Sequence, residues 1–473
     1  MSSNEVNPVT NLGEFFDKDT NTTEDLQSAP DDRQTAYNNA IPPMFDIEDA
    51  PDNFDIDSML AGMSPFKNKK FRVERKLPDN HYFEISKANI WDKILNISDM
   101  VLESKLVKTG GKLNFFDFEI ADENMVDVRF GDHTNKILIK IPFLNSKGMV
   151  GESLQFYKPD LKAYVISCEE EGFLIHKDIE RNKFMTYLFN KYCYVKQGIN
   201  ADSEERKVQR KSLFVDGNEY QQRCLVNEEL LHQFLEPISK ITEKRSKNEG
   251  EISTNRVHFY NDHAIIKCDS NSYVFLDYPK GMNFPEITVG SSFINILFAL
   301  MSKPDPNQIL EVSTIGTQRI MVKSPFFEVS GSQYDRLDLD EIEDFENIAL
   351  SMQSDKFTWI DQYLLGRITK YSCNMRLCSK KLLFNYSGDG DVMCIALHED
   401  DNKDFRYINI LNPHKQNEAF PSLSKPVIVD SQSLRRLLNA FSDRDNVGAL
   451  IREKEVIIKN KSKGISVLLT ALE

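Results

Sequence analysis

Two stretches of the chain carry the same spacing of apolar and polar positions. Residues 289–302 read VGSSFINILFALMS and residues 429–442 read VDSQSLRRLLNAFS. Without a gap, Val289 aligns with Val429, Ser291 with Ser431, Leu297 with Leu437 and Ser302 with Ser442, and Asp305 and Asp445 follow in register. Each stretch opens on an apolar strand end and a candidate N-cap, Ser291 or Ser431. Each then continues with a helical stripe: Ile294, Leu297, Phe298 and Met301 in one copy, Leu434, Leu437, Leu438 and Phe441 in the other.

A second helix type recurs three times. Residues 87–100 (KANIWDKILNISDM), 228–242 (EELLHQFLEPISKIT) and 359–371 (WIDQYLLGRITKY) each set apolar residues on one side. Their echo pairs Ile94-Leu95 with Phe234-Leu235 and with Tyr363-Leu364. Between the helices lie short alternating runs that predict strands, at 83–85, 113–120, 125–130 and 137–141, then 224–226, 256–260, 264–269 and 273–276. The pattern continues at 309–313, 319–323, 326–330, 381–386, 392–398, 405–411, 447–451, 455–459 and 465–470. Gly110-Gly111 and Gly131-Asp132 mark turns. The fold class this predicts is α+β: three repeated modules, each with two helices packed on antiparallel sheets. Module 1 spans 67–222, module 2 spans 223–335, an acidic connector (331–353 in its broadest reading, 336–353 at its core) follows, and module 3 spans 354–473. In module 1 the second helix is expected at 184–192, and 200–222 reads as an insert of loop and edge strands.

Charge is distributed unevenly. The net charge is −15, and residues 1–66 account for −12 of it, with 14 acidic and two basic residues. The remaining chain is nearly neutral. The acidic stretch is rich in Asn, Asp, Thr and Pro, which predicts a disordered tail. Apolar islands interrupt it, among them Leu12, Phe15 and Phe16 in NLGEFF, the kind of segment that folds onto a partner. The seven cysteines include no CxxC, so free thiols in a reducing compartment are expected. The N-terminus has no apolar core of a signal peptide, and the longest apolar stretch, near 293–301, falls far short of the ~20 residues of a membrane span. The expected localisation is cytoplasmic, nucleoid or a host replication compartment, not secreted.

Catalytic patterns are absent. The run 388–391 (GDGD) reads as a hairpin turn, since no carboxylate follows at the last position of a calcium loop. His258 and His263 lie in a strand–turn–strand context, and Asp400 and Asp401 in a solvated turn. No serine sits in a nucleophile elbow. No enzyme, no metal and no cofactor are expected.

The outward positions of the helices carry cations. The first type shows Lys87, Lys93, Lys240, Lys244, Arg245, Arg367 and Lys370, and the second type Lys183, Lys191, Arg435, Arg436 and Arg444. Equivalent basic positions on an otherwise acidic chain predict one positive surface that contacts phosphates without reading sequence.

The segments FEISKANIWDKILNISDMV, CLVNEELLHQFLEPISKIT, ITVGSSFINILFALMS and VIVDSQSLRRLLNAFS, with the final strand GISVLLTALE, resemble the DNA sliding clamps, the processivity factors of replicative polymerases. The resemblance covers residues 70–473 and is closest to the bacterial three-module type. It implies a homodimeric ring around double-stranded DNA, lined by twelve helices, with outer sheets continuous across subunits. It also implies a DNA polymerase and a clamp loader as partners, no membrane, and a hydrophobic partner groove beside the connector and the C-terminal strand at Val467, Leu469 and Leu472. The Met-Pro-Met type ending is replaced by LLTAL. The acidic tail and the 200–222 insert also depart from the pattern and suggest a divergent, viral member. Two other functions fit the same residues. One is a processivity subunit that does not close into a ring. The other is a replication scaffold whose tail, through Leu12, Phe15 and Phe16, docks on another protein's clamp. A virion structural protein is a more distant reading.

Overall fold

The computed structural model describes residues 79–85, 88–101, 115–131, 134–158, 161–163, 173–179, 183–189, 194–199, 220–242, 256–269, 271–316, 319–335, 357–376, 378–387, 391–398, 407–411, 423, 425–441, 447–460 and 463–472. The acidic tail and most of the connector lie outside them. Helix and strand alternate in one order, repeated three times. In the first repeat, β1 (Tyr82–Ile85) leads into helix α1 (Ala88–Met100). Strands β2 (Phe115–Ile120), β3 (Met125–Gly131), β4 (Asn135–Lys147) and β5 (Ser153–Tyr157) follow, and β6 (Phe173–Asp178), β7 (Lys183–Phe189) and β8 (Tyr194–Ile199) end it. The second repeat runs β9 (Tyr220–Asn227), α2 (Glu228–Ile241), β10 (Arg256–Phe259), β11 (His263–Asp269), β12 (Ser272–Asp277), β13 (Ile287–Gly290), α3 (Ser291–Leu300), β14 (Ile309–Ile315), β15 (Arg319–Lys323) and β16 (Phe327–Ser332). The third runs β17 (Thr358–Ile360), α4 (Gln362–Asn374), β18 (Cys378–Tyr386), β19 (Val392–His398), β20 (Tyr407–Ile410), β21 (Val427–Asp430), α5 (Ser431–Leu437), β22 (Val447–Ile451), β23 (Glu455–Asn460) and β24 (Ile465–Thr470).

Strand pairing repeats as faithfully as order. The first strand of each repeat pairs with the sixth, as β1–β6, β9–β14 and β17–β22. The fifth pairs with the second, as β5–β2, β13–β10 and β21–β18. All of these ladders are antiparallel. Repeats join by one rule: the fourth strand of one pairs with the eighth of the next. Thus β4 pairs with β16, placing Ile137 opposite Val329, and β12 pairs with β24, placing Val274 opposite Val467. All four side chains are fully buried, so the apolar core runs on through both joints.

The helices lie on these sheets by the stripes their sequences carry. In α2, Leu231, Phe234, Leu235, Ile238 and Ile241 are buried, and the Asn227 side chain caps the helix by accepting from the Leu230 amide at 3.1 Å. In α4, Leu365, Ile368, Thr369 and Ser372 are buried, and Asp361 caps in the same way. Aligning the two caps pairs Phe234 with Ile368, so the predicted match of Phe234 to Tyr363 is corrected. Tyr363 falls on the open face and is 64% exposed. The predicted match of Ile94-Leu95 to Phe234-Leu235 agrees with the burial of all four. The helix expected at 359–371 starts later, because residues 358–360 extend β17.

Three further expectations are corrected. Of the helix expected at 184–192, residues 184–189 are instead part of strand β7, which pairs on both sides, with β6 and β8, and residues 190–192 lie outside the described residues. The run KFMTYLF sets Phe184, Tyr187 and Leu188 at helical spacing, and tertiary pairing overrides that local signal. The described residues after the fifth strand that are helical are instead 158 and 161–163, with Leu161 buried. Ser291 and Ser431 are first helical residues and not caps, which are Gly290 and Asp430; the Asp430 carboxylate accepts from the Ser433 amide at 2.7 Å. The connector does not begin at Gly331, since that residue and Ser332 complete β16.

A candidate nucleic-acid interface on the third repeat

The helices form one continuous series. α1 packs against α3, α3 against α2, α2 against the 3₁₀ turn Leu438–Ala440 that extends α5, and α5 against α4. At each joint the first helix of one repeat therefore meets the second helix of the next.

The predicted cations divide sharply along this series. On α4, Tyr363, Arg367, Lys370 and Asn374 fall at positions i, i+4, i+7 and i+11 and are all exposed. Arg435 on α5 is exposed opposite them and donates to the Asn374 side-chain oxygen at 3.2 Å. The two helices enclose an open cleft of about 730 Å³ lined by these residues together with Gly366 and Asn439. The Arg367 guanidinium lies 5.8 Å from the Tyr363 ring centroid. Among the described residues, none of Arg367, Lys370 and Arg435 forms an ion pair with a carboxylate, so their charge is available to an external anion.

Arg436, one residue on, has a different role. It is half-buried, its Nε donates to the Ile241 carbonyl at 2.6 Å and its Nη1 to the Cys268 carbonyl at 3.3 Å. It holds the C-terminal end of α2 against α5, where cation and helix dipole are complementary. Ser433 reinforces the joint by donating to Asp269 at 2.8 Å. Lys93 is likewise half-buried and donates to Ser302 Oγ at 3.4 Å, between α1 and the residues after α3. Lys240 is exposed but bonded to Glu236 at 2.7 Å, four residues back. Lys183 opens strand β7 and no helix. Lys87, Lys191, Lys244, Arg245 and Arg444 lie outside the described residues, as do Leu12, Phe15 and Phe16. Of the predicted cations among the described residues, the exposed ones without a carboxylate partner are thus Arg367, Lys370 and Arg435, between α4 and α5, whereas α3 presents a buried, wholly apolar or amide stripe.

At the C-terminal strand, Val467 and Leu469 are fully buried in the core. Leu472 is partly exposed and its amide donates to the Ile428 carbonyl at 2.8 Å. Of the three residues expected in a partner groove, only Leu472 reaches the surface.

No group of three metal-ligating side chains comes together among the described residues. His258 is buried and shares a hydrogen bond with Thr288 at 3.0 Å; His263 stacks on Tyr260 with centroids 4.9 Å apart. Of the five described cysteines, Cys268, Cys378 and Cys394 are buried, and burial pushes the Cys268 thiol up to about 12. No helix of the described residues is long and apolar enough to cross a membrane. Sequence reasoning missed Tyr363, Gly366 and Asn439 as cleft residues. The signal was present in the cap: counting from Asp361 puts Tyr363 on the polar face.

No protein-family model and no curated protein matches the chain. Solved structures do. The DNA polymerase III subunit beta of Borrelia burgdorferi is 10% identical, with a TM-score of 0.62 over 83% of this chain and 100% of that one. The Thermotoga maritima beta subunit is 11% identical, with a TM-score of 0.61 over 83% and 99%. The Helicobacter pylori beta clamp bound to a DNA ligase peptide is 10% identical, with a TM-score of 0.60 over 83% and 100%. At this identity the likeness is one of architecture: the chain has the fold of the DNA polymerase III beta sliding clamps.

Proposed function

We propose that this protein is a DNA sliding clamp: two copies close head to tail into a ring around duplex DNA and tether a replicative polymerase. The observation that carries this reading is the joint rule. Both internal joints pair a fourth strand with an eighth and pack a first helix on a second. The rule leaves two complementary ends within the chain. Among the described residues, β20, the fourth strand of the third repeat, ends its sheet, and β8, the eighth strand of the first repeat, ends another. Unpaired strand edges are a liability unless covered. Pairing β20 of each copy with β8 of the other covers both, and two such joints close a two-fold ring of six repeats.

In that ring the α4–α5 cleft faces the duplex. Arg367, Lys370 and Arg435 contact phosphates by charge alone, which holds DNA without fixing the register and so permits sliding. No bond is made or broken by such a protein. Its effect is to raise the effective concentration of the polymerase at the primer end. We place the polymerase contact beside Leu472 and the chain preceding β17. The three modules, with boundaries at 67, 223 and 354, are the units of that ring. Solution mass by light scattering tests the closure: a stable dimer is expected, and a monomer at micromolar concentration would favour the open processivity subunit instead.

A further inference from the structure

We propose that the α4–α5 cleft is a binding site for an unpaired nucleotide of single-stranded DNA, with the base stacked on Tyr363 and the flanking phosphates on Arg367, Lys370 and Arg435. The inference rests on the clamp reading for its biological setting, but its evidence is separate. A duplex passing through a ring offers only its phosphates and sugars, because paired bases hide their faces in the stack. A duplex can use the hydroxyl of a tyrosine, as a donor to phosphate, but offers nothing to the face of its ring. Yet Tyr363 is 64% exposed, more than the other exposed aromatic side chain among the described residues, Trp359 at 47%, and it stands in the first turn of a helix whose open face also carries Arg367 and Lys370. Exposed aromatic rings alternating with cations along a groove are the arrangement that binds single strands by stacking. The Arg367 guanidinium, 5.8 Å from the ring centroid, adds a second planar surface beside it.

Gly366 is the independent observation. Glycine within a helix is unfavourable relative to alanine, and packing usually explains its presence. Here packing does not: a Cβ on Gly366 would meet nothing within 4 Å. The residue lies one turn from Tyr363 and beside Arg367, on the floor of the cleft. Its bare backbone leaves room that the protein itself does not fill, and the roughly 730 Å³ of the cleft is within the usual range of small-ligand sites. Met375, 41% exposed, gives the far end an apolar lip.

The test measures binding of a fluorescent oligothymidylate by anisotropy, in the full chain, alongside retention on a nicked circular duplex. Tyr363→Ala should weaken oligonucleotide binding on the order of tenfold, and Tyr363→Phe should restore it, since stacking needs the ring and not the hydroxyl. Gly366→Leu should weaken binding to a similar extent while leaving the thermal midpoint unchanged or raised, which separates an occupied cleft from a damaged fold. Retention on the duplex circle, measured for each variant at high salt, reads enclosure and not stacking in the cleft, and so checks that the ring still closes. Oligonucleotide binding by Tyr363→Ala and Gly366→Leu equal to that of the parent chain would overturn the proposal. So would a loss in Tyr363→Phe equal to that in Tyr363→Ala. Failure of the parent chain to stay on the duplex circle would instead count against the clamp reading.

Discussion

Adjacent arginines on one short helix do different work, and the difference is set by what each guanidinium reaches. Arg435 points into the α4–α5 cleft, and Arg436 bonds to two main-chain carbonyls of the preceding repeat. Charge reversal at Arg435 should therefore shorten the lifetime of the protein on DNA and leave its urea midpoint unchanged. Arg436→Ala should lower stability by about 1–3 kcal/mol, the cost of leaving buried carbonyls without a charged donor, as read from urea unfolding. A second residue ties stability to pH. Burial holds Glu228, the first residue of α2, up to about 7, opposed by a hydrogen bond from the Asp305 backbone. A carboxyl raised on folding is bound to its proton more tightly in the native state. Native stability should then fall as pH rises from about 4.5 to about 7, by up to ~3 kcal/mol, and stay lower above that range. Glu228→Gln should flatten this dependence in urea titrations at pH 5 and pH 8; an unchanged pH slope would exclude Glu228 as its source.

Elements were legible where periodicity and caps agreed. The stripe of α2, with Asn227 ahead of it, defined both the helix and its buried face. The β-rich halves were legible where strands alternate, as β3 and β19 do, and where Gly, Asn or Asp mark the turns between them. The second helical position of the first repeat was not, since its described helical residues, 158 and 161–163, carry one buried apolar side chain, Leu161, and no period. The apolar run at 184–189 drew the helix assignment instead, and only its two strand partners decide it. The cleft was legible as charge but not as shape: the cations on α4 and α5 could be read off, whereas the sorting of Arg435 from Arg436 depends on the joint between repeats. Helix and sheet also meet at one point that sequence could not reveal. Gly331 on β16 lies so close to the Phe293 ring of α3 that a Cβ would stand 2.4 Å from it. Gly331→Ala should cost about 1–3 kcal/mol through forced displacement of that ring, and Phe293→Leu in the same chain should recover part of the loss in thermal unfolding.

At the scale of the whole molecule, three repeats joined by one rule leave a fourth strand, β20, and an eighth strand, β8, at sheet edges among the described residues. Exposed cations without a carboxylate partner, Arg367, Lys370 and Arg435, stand together on α4 and α5, while residues 1–66 carry −12 of the net charge of −15. Retention should weaken with salt, the logarithm of affinity falling by roughly 0.9 for each phosphate contact per logarithm of salt concentration. Removing Arg367, Lys370 and Arg435 together should lessen that slope. Topological enclosure makes a sharper demand than affinity. The direct measurement is the fraction of protein held on a nicked circular duplex at high salt, before and after a single cut linearises it. Enclosure predicts retention on the circle and release from the cut ends. Equal loss from circular and linear DNA would contradict it.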